Sequence, residues 1–206
     1  MLVSRTRQQT ARASCLNIDA TVILMPLFPT YNELRIWGQQ ENAQTMLKEA
    51  HASATKSRHT VFLSHSSKDD DLVPGAVLIL RNHGAIVYAD HHDPSLASAD
   101  LAAIADHLRT VIHTCKKFVM LATPRSKDSK WIPWELGLGD EARTPHNVAL
   151  FPSAETAFDM QWAEQEYLGL YQRIVWGQIR GQDQNRWLVW DHRRNVAQPL
   201  GEWLSN

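Results

Sequence analysis

The sequence predicts an α/β fold, a three-layer sandwich around a central parallel sheet of about five strands. Two observations carry that expectation. Short apolar runs rich in β-branched and aromatic residues recur at residues 60–65, 85–89, 118–122 and 147–151. Stretches of about a dozen residues with helical apolar spacing separate them. Strand, helix, strand is the crossover unit of a parallel sheet. At 206 residues the chain reads as one domain with appendages, long enough to bury a core without disulfides.

The first 29 residues read as an N-terminal tail. Arg5, Arg7 and Arg12 precede an apolar stretch that Pro26 breaks, too short to span a membrane and a poor signal peptide. An extra strand, a flexible tail and sequence upstream of a true start at Met25 all fit it. Residues 30–57 read as a helical arm. Thr30 can cap a helix over residues 31–53 whose apolar stripe is Leu34, Trp37, Met46, Leu47 and Ala50.

Residues 58–206 read as the main domain with a Trp-rich C-terminal extension. The run Thr60 to His65 is near-continuously apolar, which predicts a strand buried on both faces. The loop Ser66-Ser67-Lys68-Asp69-Asp70-Asp71 opens a helix that ends at His83-Gly84, with Gly84 placed for a left-handed cap. Residues 85–89 form the second strand. Ser98 or Asp100 caps the next helix, with Leu101, Ile104, Leu108, Val111 and Ile112 on its apolar side. The third strand, residues 118–122, leads through a polar turn into Trp131-Ile132-Pro133-Trp134-Glu135. Ser129 can cap that helix, and Pro133 is tolerated near its start. Glu135 lies one turn beyond Trp131 on the same face. A carboxylate beside an indole, past the carboxyl end of a strand, is where open α/β sheets place ligands.

Residues 147–151 give a fourth strand, and residues 168–171 a short fifth. Trp187 to Trp190 reads as strand and residues 200–204 as a final helical turn. The five tryptophans of this tail close a core edge rather than stack nucleotides, because no basic groove accompanies them. A net charge of −1 gives no electrostatic case for nucleic acid or an anionic membrane. The pairs Lys116-Lys117 and Arg193-Arg194 read as solvated surface. Two distant cysteines, Cys15 and Cys115, argue for a reducing, cytoplasmic compartment and against thiolate zinc sites.

Three motifs in this order resemble a bacterial Toll/interleukin-1 receptor (TIR) domain. They are Val61-Phe62-Leu63-Ser64-His65-Ser66-Ser67-Lys68-Asp69, then Gly84 to Asp90, then Ser129-Lys130-Trp131-Ile132-Pro133-Trp134-Glu135-Leu136. The likeness covers residues 60–152, extends loosely over the next fifty, and says nothing of residues 1–55. It implies a flavodoxin-like sheet and cleavage of NAD+ at the nicotinamide–ribose bond, with NAD+ as substrate and no separate cofactor. The family's catalytic glutamate falls on Glu135. Ile132 stands where the family usually has a cysteine to which catalysis is not assigned. Ser64, His65, Ser66, Ser67 and Lys68 supply hydroxyls, amides and a cation suited to a polar nucleotide. For Ser66 and Ser67, ordinary turn and cap chemistry is an equal account. Asp90 opens the loop after the second strand, which carries an unusual His91-His92 pair. Trp131 or Trp134 can hold the flat cationic ring, Trp131 with the weaker claim because its family equivalent looks structural.

The chemistry fits a single carboxylate. Nicotinamide is already cationic in NAD+ and leaves without a general acid, while the ribose gains positive charge that Glu135 can stabilise. The resemblance further implies bacterial anti-phage defence, self-association, and either NAD+ depletion or a signal read by a separate effector protein. Two other classes compete: a non-catalytic TIR–TIR adaptor, and a nucleoside deoxyribosyltransferase-like enzyme. Other chemistries fare worse. There is no G-x-S-x-G elbow, no G-x-G-x-x-G and no Walker A sequence. The third strand ends Leu121-Ala122-Thr123, without the aspartate of a phospho-receiver. His83, His91, His92 and Asp93 are read as surface rather than a metal site.

Overall fold

The structure, a computed structural model, describes residues 23–52, 60–89 and 100–206. Eight strands form one sheet: β1 (Ile23–Leu27), β2 (Val61–Ser64), β3 (Val87–Ala89), β4 (Lys117–Ala122), β5 (Val148–Pro152), β6 (Gln172–Ile179), β7 (Asn185–Asp191) and β8 (Val196–Pro199). The helices are α1 (Tyr31–Gly38), α2 (Glu41–Ala52), α3 (Val73–Asn82), α4 (Leu101–Thr114), α5 (Ile132–Glu141) and α6 (Leu200–Ser205). The strand order is β3-β2-β4-β5-β6-β7-β8, with β1 also on β6. From β3 to β6 every pairing is parallel, whereas β7, β8 and β1 are antiparallel additions. The parallel part has the doubly wound flavodoxin-like order, in which the first strand lies between the second and the third.

Alternation along the strands divides the core into two layers. Phe62, Phe118, Met120 and Leu150 face α4 and α5, meeting Leu108, Ile112, Ile132 and Leu136. Val61, Leu63, Val119 and Leu121 face the other side, meeting Leu34 of α1, Ala50 of α2, Val77 and Leu80 of α3, and Trp203 of α6. Rings stack across the first layer, with Phe62 centred 5.5 Å from Phe118 and 5.6 Å from Tyr88. Each of these fully buried side chains stabilises the fold by about 1.5–3 kcal/mol. Gly75 permits the crossing of α1 over α3, since a Cβ there would lie 2.2 Å from the Leu34 carbonyl oxygen.

Several expectations are corrected. The helix expected over residues 31–53 is two. α1 starts with a Thr30–Glu33 capping box and stops at Gly38-Gln39, where glycine is a weak helix former. Of the readings of the first segment, an extra strand is the one met by Ile23–Leu27, and Met25 lies within it. Residues 168–170 belong to a 3-10 turn, Glu166–Leu170, that Tyr171 caps, and the strand follows it as β6. Leu101 is 72% exposed because it occupies the first position of α4, beyond the packed stripe. Lys117 is buried rather than solvated. Its Nζ donates to Asn147 Oδ1 at 2.5 Å and lies 4.8 Å from the Trp203 ring centre. Asp100 is the residue that caps α4, accepting from Ala103 N at 2.8 Å.

Candidate active site

The doubly wound order makes a switch point where β3 and β4 lie on opposite sides of β2, and open sheets bind ligands at the carboxyl side of such a point. Ser64 is the last residue of β2. Glu135 sits in the first turn of α5, the helix that follows β4. The two meet there, with Ser64 Oγ donating to Glu135 Oε2 at 2.5 Å. Both are buried, Glu135 to 2% exposure.

Local chemistry explains how α5 aims that carboxylate. Ser129 Oγ accepts from the amides of Trp131 and Ile132 at 3.3 Å, while Pro133 occupies a first-turn position where its missing N–H costs nothing. The Glu135 amide donates to the Trp131 carbonyl at 2.9 Å. Gly139 lets the helix lie on the sheet, because a Cβ there would come 2.6 Å from the Phe118 ring.

The loops after β2 and β4 are laced together beneath the pair. Ser66 caps the 3-10 turn Ser67–Asp69. Asp69 is fully buried and accepts from Thr123 Oγ1 at 2.7 Å. Desolvation pushes the Asp69 carboxyl above the usual carboxylate range, with Thr123 and Arg125 acting against that shift. Arg125 Nη1 donates to the Lys68 carbonyl at 2.9 Å and lies 3.7 Å from Asp69 and 3.6 Å from Asp71. Its guanidinium also sits 4.8 Å from the Tyr31 ring centre of α1. The Asp71 carboxylate in turn accepts from Arg35 Nε of α1 at 2.6 Å.

The residues singled out from sequence are distributed as follows. Ser64 and Glu135 are joined. His65 is buried, its Nε2 3.6 Å from Asp70 Oδ1. Ser66 serves as a turn cap, and Ser67 and Lys68 are exposed. Lys68 Nζ donates to Asp128 Oδ2 at 2.7 Å, a bridge that holds the Asp128 carboxyl below its usual value. Trp131 is 39% exposed, while Trp134 is half-buried between Trp131 and Arg109, at 5.5 and 5.4 Å. Asp90, His91, His92 and Asp93 lie outside the described residues. Among the described residues no cluster of three or more histidines, cysteines and acids could hold a metal, and no helix is long and apolar enough to cross a membrane.

Sequence reasoning missed Asp69, Thr123 and Arg125 as the lacing of the site. One signal was present, since Ser66-Ser67-Lys68-Asp69 has the spacing of a helix-start box. Chemically, a buried carboxylate with a hydroxyl fixed on it at the switch point, one helical turn after an exposed tryptophan, can bind sugar hydroxyls and stabilise a developing cation.

No protein-family model matches the chain. Over 162 residues it is 30% identical to the "Probable 3' cyclic ADP-D-ribose synthase ThsB'" of Bacillus cereus (strain MSX-D12). That alignment covers 76% of this chain and 80% of the relative.

Proposed function

The chain belongs to the family of the probable 3' cyclic ADP-D-ribose synthase ThsB', and from that premise we propose that it is a TIR-type enzyme that cleaves NAD+ and cyclises the ADP-ribose. The observation that carries the reading is the Ser64–Glu135 pair at the sheet's switch point.

In this reading the N-glycosidic bond of NAD+ breaks with its electron pair leaving on nicotinamide, which departs neutral. The positive charge passes to the ribose as an oxocarbenium ion, and the Glu135 carboxylate faces it. The Ser64 hydroxyl fixes the carboxylate's orientation before substrate arrives, so no reorganisation accompanies the charge shift. A hydroxyl of the adenosine ribose then attacks the cationic carbon, and its proton leaves through Glu135. The products are nicotinamide, a cyclic ADP-ribose and one proton. Water attacking instead would give the linear product. Trp131 is the exposed indole against which the nicotinamide ring would lie, and Ser67 and Lys68 border the phosphate side. Trp134, packed against Arg109, has the weaker claim to substrate on this geometry.

The reading extends to a place in anti-phage defence, with the cyclic product acting on a separate effector, and to self-association as a condition of full activity. The test is NAD+ turnover by the purified protein and by Glu135→Ala at high protein concentration, with products resolved by mass spectrometry. A cyclic ADP-ribose lost in the variant supports the proposal. Equal turnover by both proteins overturns it. A specific activity that stays flat on dilution removes the self-association condition.

A further inference from the structure

A second cluster of polar groups lies on the β6–β7 side of the sheet, away from Glu135. Arg173 of β6 is half-buried with its guanidinium between two indoles, 5.1 Å from the Trp162 ring centre and 5.8 Å from that of Trp190. It has no hydrogen-bond or ion-pair partner among the described residues, and its Nε is buried without one. Desolvation alone shifts this side chain, downward, with no nearby acid acting against it. Asp191, the acid closest in sequence to this end of β7, is engaged with the amides of Arg193 and Arg194.

Two further buried atoms beside Arg173 also lack partners. Trp162 is 2% exposed, yet its Nε1–H donates to nothing; the Nδ1 of His192 has no close partner, although the His192 ring reaches the Gly169 backbone. The His192 ring stacks edge-on against Trp190 at 5.9 Å; desolvation lowers its pKa, the Arg173 charge adds to that, and the Asp191 carboxylate acts against it. Buried polar groups are almost always satisfied, and a half-buried cation without an anion is costly. Here two obligate donors without partners, Arg173 Nε and Trp162 Nε1, belong to side chains packed on one another, and the planar guanidinium fork suits an oxyanion.

We propose that Arg173 and Trp162, with His192 alongside, form a binding site for a small oxyanion, a phosphate or carboxylate group, separate from the site at Glu135. Three strand spacings, about 14 Å, lie between β2 and β6, so an occupant here would not be the ribose attacked at Glu135. Binding would satisfy the guanidinium and the indole N–H together, and would tie the 3-10 turn Gln161–Ala163 to β6 and β7.

The test uses the full chain labelled with nitrogen-15. The indole N–H resonance of Trp162, assigned through Trp162→Phe, is followed while inorganic phosphate or succinate is added at constant ionic strength. A saturable shift with either anion supports the site, and which one acts identifies the source of the oxyanion. In Arg173→Lys, which keeps the charge and loses the fork, affinity should fall about tenfold or more. Glu135→Ala should bind the anion as the parent does, which keeps this result distinct from the fate of the NAD+ proposal. Arg173→Met should melt at or above the parent temperature without anion and lose the anion-dependent rise. An unmoved Trp162 resonance with both anions, or equal affinity in Arg173→Lys, would overturn the proposal.

Discussion

Ser64 and Glu135 are 71 residues apart in sequence, and their side chains meet at 2.5 Å over the carboxyl end of the sheet. If the hydroxyl preorganises the carboxylate, Ser64→Ala should fold normally and lose about 10- to 100-fold in turnover. The loss should fall on kcat more than on KM, because the charge that the carboxylate meets exists only in the transition state. Steady-state kinetics of purified Ser64→Ala, with circular dichroism as the folding control, checks this. An unchanged kcat would remove Ser64 from the mechanism.

The contact between Gly139 and Phe118 sets the height of α5 above β4. Gly139→Leu should destabilise the fold by about 1–3 kcal/mol through overpacking, and should displace Glu135 from Ser64 as the helix lifts. Phe118→Leu in the same chain should recover part of both losses. Denaturant melts with parallel turnover assays measure the coupling.

Asp69 makes stability depend on pH. Its folded carboxyl titrates above the unfolded value of 3.8. The native state therefore holds its proton more tightly than the unfolded state does. The stability this gives is fully present below pH 3.8 and is lost as pH rises through the folded pKa. Asp69→Asn removes that titration. Relative to the variant, the parent should lose stability between pH 3.8 and the folded pKa and show no further relative change above it. Urea melts of both proteins across that range test the sign, and a parent that gains on the variant would contradict it.

Cys115 is buried, and burial pushes its thiol up to about 12. At neutral pH on the order of one thiolate in 100,000 is available. Iodoacetamide should therefore label Cys115 only as fast as the surrounding core opens, and denaturant should accelerate labelling in step with unfolding. Rapid labelling of the native protein, mapped to Cys115 by peptide mass, would contradict this.

The parallel half of the sheet is legible in the sequence because its strands are covered on both faces and so read as unbroken apolar runs. β6 escapes that reading. Gln172, Arg173 and Gln178 interrupt it, since part of the strand is open on one side. Lys117 misleads for a related reason, because a charged residue reads as surface until Trp203, from the far end of the chain, is seen to cover it. Ser64 and Glu135 stand out as motif residues. The lacing among Asp69, Thr123 and Arg125 does not, since Asp69 and Thr123 lie 54 residues apart and their pairing depends on two loops the fold brings together. The family likeness gives Trp131 the weaker claim to the ligand, whereas packing leaves Trp131 as the exposed indole and Trp134 as the half-buried one.

β1 pairs with β6, the Tyr31 amide donates to the Ala154 carbonyl, and Ser153 Oγ donates to the Pro29 carbonyl. During synthesis β1 emerges long before its partner strand β6. β1 must wait for that pairing until residues 172–179 have left the ribosome. Such closure over most of the chain length is slow compared with local helix formation. Nascent chains should thus carry β1 as an open edge until β6 is made, a surface that a holding chaperone can cover, while β2 to β5 pair without it.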